Sequence, residues 1–163
     1  MRTFVARKKL SLAIAGVVVL GASAAVALAN PGNVFFAPST LVTGTNINKV
    51  EVNSDRVKFQ TKGETDVRVQ KIVFSAGGLS GWHHHPGFVI ATVASGSVTF
   101  THADCTATTY GPGLPAGSVF TESGDNAGQA SSASGAVLYA TFIAPHVDGP
   151  PVFRIEDDPV TCP

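Results

Sequence analysis

Residues 77–96 read GGLSGWHHHPGFVIATVASG, and they decide the fold because they join a histidine cluster to a strand-forming segment. The first part holds three of the chain's five histidines, His83, His84 and His85, between glycines. The second part, residues 88–94, is apolar on both faces, which is typical of a buried strand. The stretch therefore predicts a turn that brings imidazole groups to the edge of a β-structured core.

Short strands are also predicted along the rest of the chain. No stretch of a dozen residues beyond residue 29 has convincing helical periodicity. Alternating polar and apolar residues predict strands at 56–61 and 66–75, the second ended by Gly77-Gly78, and Ser95-Gly96 predicts a hairpin between 88–94 and 97–101. Four more strands are predicted at 106–110, 118–122, 129–132 and 136–143. About eight to ten strands at this spacing predict an all-β antiparallel sandwich or barrel.

The first 29 residues have the pattern of a signal peptide. Four positive residues precede an apolar run at 10–20, and Ala-Leu-Ala at 27–29 supplies the small-x-small pattern of a cleavage site. The apolar run is short for a membrane-spanning helix of about 20 residues. We expect cleavage after Ala29, membrane contact only through the uncleaved segment, and a secreted or extracytoplasmic mature protein.

The expected mature chain suits one domain. Residues 30–163 suffice for one hydrophobic core, and we divide them into an N-terminal extended segment (30–50), a barrel (51–147) and a C-terminal tail (148–163). Seven remaining Lys and Arg residues against eleven Asp and Glu residues give a net charge of −4. This acidic balance excludes nucleic acid as a partner, because phosphate binding needs clustered basic residues.

The two cysteines, Cys105 and Cys162, predict one disulfide. An even pair in an exported chain is typical of a structural bridge, and the spacing fits no zinc or redox motif. Such a bridge would tie the end of the tail to a loop in the middle of the chain.

The histidine run predicts a metal site of two imidazoles. Side chains alternate across a strand, so His83 and His85 share one face, while Trp82 and His84 share the other. Two neutral imidazoles on one face can converge on a divalent transition metal, and zinc, manganese, iron, nickel and copper all accept them.

The same residues resemble the first motif of the cupins, G-x5-H-x-H-x3,4-E-x6-G. Gly77, His83, His85 and Gly96 match it, and Pro115-Ala116-Gly117 resembles part of the second motif, G-x5-P-x-G-x2-H-x3-N. The resemblance covers about residues 66–144. It implies an antiparallel cupin-type β-barrel, also described as a double-stranded β-helix or jelly roll, with metal ligands inside. Cupins commonly form dimers, so the resemblance also implies that this chain can form a homodimer.

Two ligand positions of the cupin pattern hold residues that cannot coordinate a metal. Val89 stands at the glutamate position of the first motif, and Phe120 at the histidine position of the second. Counting back from the apolar strand near the C-terminus places that histidine position near Gly128 or Gln129 instead. Further ligands to His83 and His85 are therefore sought among four polar residues: Glu122, Gln129, His102 and His146.

Three functions remain open at this level. The leading hypothesis is an exported cupin that binds a divalent metal and binds or acts on a small oxygen-bearing molecule. The second is a metal-free module that holds a sugar or an organic acid in the barrel. The third is a structural protein of the cell envelope with a degenerate site. Whether the protein is an enzyme is not decided by these residues.

Overall fold

The computed structural model describes residues 34–163, and over that range it is built from β-strands without helices. The strands are β1 (Val34–Asn46), β2 (Glu51–Asn53), β3 (Lys58–Gln60), β4 (Thr65–Leu79), β5 (His83–His84), β6 (Phe88–Gly96), β7 (Val98–His102), β8 (Ala107–Tyr110), β9 (Val119–Ser123), β10 (Gly128–Ser132), β11 (Ala136–Pro145) and β12 (Ile155–Glu156). Ten of them form one antiparallel sheet, and β2 pairs with β3 separately.

The ten strands fold into two facing layers. One layer has the order β1-β4-β11-β6-β9, and the other has the order β12-β5-β10-β7-β8. Strand β10 pairs with the end of β4, which joins the layers into a nearly closed barrel. This is the cupin-type architecture, so the predicted fold class is confirmed.

The barrel interior follows from strict alternation along the strands. In β11, Ala136, Leu138, Ala140, Phe142 and Ala144 are buried, while the residues between them are partly or fully exposed. The β6 and β7 strands add Val89, Val93, Val98 and Phe100 to the same core. Because a one-residue slip would turn this whole set to solvent, burial fixes the register of the barrel.

The predicted hairpin between β6 and β7 is wrong. Strand β6 pairs with β11 and β9, whereas β7 pairs with β10 and β8, so the chain crosses from one layer to the other at Ser95-Gly96. A Ser-Gly turn is compatible with a hairpin and with a crossing between layers. Here β6 and β7 each pair with two other strands instead of with each other. The choice between a hairpin and a crossing is therefore made by tertiary packing.

The predicted end of β4 at Gly77-Gly78 is also wrong, because the strand continues to Leu79. Gly77 has a φ of 75°, a conformation open to glycine at little cost, and it lies where β4 changes its partner from β11 to β10. The glycine pair therefore bends the strand from one layer into the other instead of ending it.

The C-terminal tail is held against the barrel at several points. Strand β12 pairs with β5, the Phe153 side chain is buried in the core, and Cys162 forms a disulfide with Cys105, 57 residues earlier. At the opposite end of the chain, β1 pairs with β4 along its length. Both segments that flank the predicted barrel thus contribute strands to the sheet.

The predicted signal peptide, residues 1–29, lies outside the described residues. Within residues 34–163, no helix is long and apolar enough to cross a membrane.

Removal of the disulfide should destabilise the barrel. Closing a loop of this length constrains the unfolded chain, so the double variant Cys105→Ser, Cys162→Ser should lose about 3–4 kcal/mol of unfolding free energy. This corresponds to a fall in Tm of roughly 10 °C or more. Thermal unfolding followed by circular dichroism in oxidising buffer measures the difference. Reductant should lower the Tm of the wild type to that of the variant and leave the variant unchanged; equal Tm values for both proteins in oxidising buffer would contradict the expectation.

Candidate metal centre

The turn between β4 and β5 is anchored to β10 before it delivers the histidines. The Ser80 hydroxyl donates to the carbonyl of Gly81 at 3.0 Å and accepts the backbone N–H of Ala130 at 2.9 Å. The Ser80 N–H also donates to the Ala130 carbonyl at 2.9 Å. Ser80 is almost fully buried, so these bonds hold the turn rigidly against the barrel wall.

His83 and His85 project into the barrel from this turn, as the alternation predicts. Each side chain is about 95% buried, and the ring centroids lie 4.9 Å apart. Gly81 has a φ of 73°, which an L side chain would resist, and its carbonyl accepts a hydrogen bond from Nδ1 of His83 at 2.9 Å. Nδ1 of His85 donates to the carbonyl of Phe153 in the tail.

These two hydrogen bonds fix the tautomer of both rings. A carbonyl oxygen only accepts, so each Nδ1 carries a hydrogen, and a ring with no second hydrogen presents the lone pair of Nε2 to the barrel interior. Metal-binding histidines in proteins are commonly oriented in this way, with the other ring nitrogen donating to a carbonyl or a carboxylate.

The third donor is Glu122 on β9. Its Oε2 atom lies 3.2 Å from Nε2 of His85 and 3.7 Å from Nε2 of His83. Glu122 pairs directly with Val89 on β6, so the carboxylate absent from the cupin glutamate position comes from the neighbouring strand. Phe120 lies two residues earlier on β9 and is buried in the core.

The donor set fits a divalent metal. Candidate ligand atoms from His83, His85 and Glu122 all lie within 4.8 Å of one another. An ion bound at about 2.0–2.1 Å holds its ligand atoms about 3.0–3.4 Å apart, which is close to the two nitrogen–oxygen distances. Lone pairs of two Nε2 atoms that face one carboxylate oxygen repel it unless a cation or a proton lies between them. Three donors from the protein also leave coordination positions free for water or a ligand.

Burial keeps His83 in the form that binds metals. Desolvation, together with the positive charge of Arg154, lowers the pKa of His83 to about 4 against the opposing effect of Glu122. The ring is therefore neutral near pH 7, so a metal does not have to displace a proton from it.

The other predicted ligand candidates lie elsewhere. Gln129 stands on β10 between buried Gly128 and Ala130, and since Ala130 faces the barrel interior, alternation directs Gln129 to the outer face. His84 contacts the Asp157 carboxylate at 2.9 Å. His146 contacts buried Asp66 at 3.0 Å, and His102 is exposed at the end of β7. The structure brings only Glu122, of the four candidates, to the histidine pair.

Two features of the site lie in the tail and were missed in the sequence. The Phe153 carbonyl orients His85, and Arg154 donates to the carbonyl of Ser80 at 2.6 Å while its guanidinium pairs with Glu156. The segment DGPPVFRIEDD was interpreted only as an extended tail. Phe153 is the single aromatic residue of this segment. It was the feature that could have indicated contact with the barrel, because a large apolar side chain is stabilised by burial.

Comparison with known proteins yields structural likeness only. No protein-family model and no curated protein matches the sequence. A conserved protein of unknown function from Streptococcus pyogenes superposes with a TM-score of 0.48 and 14% identity, over 69% of this chain and 76% of that chain. The salicylate 1,2-dioxygenase from Pseudaminobacter salicylatoxidans gives 0.40 and 15%, over 46% of this chain and 20% of that chain. An oxalate oxidase gives 0.38 and 15%, over 46% of this chain and 40% of that chain.

The barrel topology and the cluster inside it define the class of protein. It is a small cupin-type β-barrel whose interior carries two histidines and one carboxylate at the spacing of metal ligands.

The tautomers and the pKa of His83 can be tested by NMR in metal-free protein. At pH 7 Nδ1 of both rings should carry a hydrogen, and His83 should titrate near pH 4. Since an unfolded histidine binds its proton near pH 6.5, the unfolding free energy should fall as the pH drops from about 6.5 towards 4. A ring with no hydrogen on Nδ1 at pH 7, or a His83 pKa above 6, would contradict this description.

Proposed function

We propose that this chain is an exported cupin-type protein that binds one divalent transition metal through His83, His85 and Glu122. At that metal it binds, or acts on, a small oxygen-bearing molecule. The observation that carries the proposal is the convergence of two Nε2 lone pairs and one carboxylate oxygen in a buried pocket.

The surroundings of the three donors support metal binding over a purely structural role. A partly buried carboxylate and two buried imidazoles cost free energy when they serve only packing, since apolar residues would fill the same space. The Nδ1 bonds to the carbonyls of Gly81 and Phe153 commit both rings to one orientation. Such preorganisation lowers the cost of closing the ligands around an ion.

The donor chemistry restricts the metal. Two histidines and one carboxylate with open positions suit non-haem iron(II), and the same set holds zinc in hydrolytic enzymes. A metal bound there would act as a Lewis acid that polarises an oxygen atom of a bound molecule. The protein contributes the orientation of the rings, the exclusion of bulk water by the apolar wall, and a cavity beside the open coordination positions.

Export is part of the proposal. The disulfide between Cys105 and Cys162 is the kind of bond that persists in oxidising compartments. It supports the signal-peptide interpretation of residues 1–29 without testing the segment itself.

A metal-free binding module is the second candidate function. It is favoured by the cavity of about 450 Å³ inside the barrel, whose volume is in the range of small-molecule sites and whose walls are largely apolar.

Metal binding should be lost in variants of the three donors. The untagged protein from residue 30 should bind about one equivalent of zinc, manganese, nickel, copper or anaerobic iron(II) in calorimetric titration. His83→Ala, His85→Ala and Glu122→Gln should each weaken binding roughly 100-fold or more, because changes to outer residues alone cost about 10–100-fold. Elemental analysis of the purified protein gives an independent count.

His84→Ala is the matched control, since His84 adjoins both ligands but faces Asp157. Its metal affinity should stay within about threefold of the wild type. No uptake of any of the five metals at micromolar concentrations would refute the metal proposal and leave the metal-free module. Equal losses in His83→Ala, His84→Ala and His85→Ala would refute the assignment of the ligands.

Processing of the N-terminus tests export. When the full chain is expressed in a secreting host, the extracellular protein should begin at Asn30, and its mass should include the disulfide. Mass spectrometry of the extracellular and cellular fractions measures this. Retention of residues 1–29 on all of the protein would contradict cleavage.

A further inference from the structure

The cavity beside the metal centre is apolar along most of its wall. Its volume is about 450 Å³, and the aromatic and aliphatic side chains that form much of its lining are Phe36, Ile72, Phe74, Phe120, Leu138 and Phe142. His83, His85 and Glu122 lie on the same cavity. The molecule that fills it therefore needs an apolar body, because a strongly hydrated one would lose its water without replacement.

Arg68 also lines this cavity, and the groups that contact its side chain are uncharged among residues 34–163. It lies on the inward face of β4, directly opposite Phe142 of β11. Its guanidinium carbon lies 4.1 Å from the centroid of the Phe153 ring, and its Nε atom donates to the Thr43 hydroxyl at 3.4 Å. Among residues 34–163, no carboxylate forms an ion pair with it.

The second arginine of the cavity, Arg154, differs from Arg68 in having a carboxylate partner. Arg154 forms an ion pair with Glu156 and donates to the Ser80 carbonyl, so its charge is balanced and its position is structural. Within the part of the chain that the structure describes, the lining holds one carboxylate, that of Glu122. With a divalent metal on the cluster, the cavity then carries a net positive charge; without the metal, Arg68 and Glu122 balance each other.

We propose that the cavity binds a small monocarboxylate with an apolar body, and that Arg68 recognises the carboxylate group. A guanidinium group binds a carboxylate through two parallel hydrogen bonds, and here it is already held against an aromatic ring. Phe142 and Phe153 lie between Arg68 and His85, with ring centroids 6.2 Å apart, so the apolar body lies along these two rings. The metal charge that adds to this preference rests on the proposed function, whereas the Arg68 contact does not.

Matched acids and amides test the proposal. The probes are benzoate, 3-phenylpropanoate and octanoate, each compared with its own amide, which has the same shape without the charge. At least one acid should bind the wild-type protein with a Kd below about 1 mM, and about tenfold more tightly than its amide. Calorimetry is performed on metal-free and zinc-loaded protein.

Substitution of Arg68 should remove the preference for the acid. In metal-free Arg68→Gln protein, where no metal charge contributes, the Kd values of acid and amide should agree within about twofold, and metal-free Arg68→Lys should retain part of the preference because it keeps the charge. Lys71→Gln is the matched control, since Lys71 lies on the same strand but faces outward opposite Tyr139. It should leave the preference unchanged, and melting curves verify that each variant is folded.

The outcomes separate this inference from the metal proposal. If no metal binds but metal-free protein still prefers the acid through Arg68, the inference stands and the metal proposal fails. If metal binds normally but metal-free Arg68→Gln keeps the preference, the inference fails and the metal proposal stands. Absence of binding for all three acids at 5 mM, in both forms of the protein, would also overturn the inference.

Discussion

The two hydrogen bonds from Nδ1 of His83 and His85 to backbone carbonyls are the constraint on which the site depends. One acceptor is Gly81 in the turn that precedes β5, and the other is Phe153 in the C-terminal tail. Together they turn both Nε2 lone pairs towards Glu122. Three features therefore serve the orientation of the two rings. They are the turn with Gly81 at positive φ, the buried Ser80 that anchors this turn, and the tail that pairs with β5.

Glu122 shows how a cupin-type barrel can keep a carboxylate at its centre while the motif position holds valine. Residues that face each other on adjacent antiparallel strands have Cβ atoms about 5 Å apart, so either member of the Val89–Glu122 pair can direct a carboxylate to nearly the same place. In this chain the carboxylate comes from the β9 member of the pair, and it completes the cluster with His83 and His85. A search for ligands along β6 alone overlooks Glu122, because this residue lies on the neighbouring strand β9.

The C-terminal tail contributes both to the hydrophobic core and to the orientation of the metal-site residues. Phe153 fills the core, its carbonyl orients His85, and the neighbouring Arg154 is held by Glu156 and the Ser80 carbonyl. β12 contributes only two residues to the sheet, and the disulfide at Cys162 holds the end of the tail to the loop of Cys105. Since Arg154 is paired with Glu156, Arg68 is the arginine of the cavity that forms no ion pair among residues 34–163.

The sequence by itself determined the β-class of the chain and the common direction of His83 and His85, because alternation is a local property of extended backbone. The spacing around these histidines is also cupin-like. The remaining ligands could not be identified from it, because Val89 and Phe120 stand at the expected ligand positions. Tertiary structure alone decided that Glu122, 37 residues from His85, and the Phe153 carbonyl, 68 residues from it, meet the pair. It also decided that β6 and β7 part at Ser95-Gly96 and that Gly77 bends β4. Such contacts depend on which strands become neighbours and in which register, and burial of the whole core selects this arrangement.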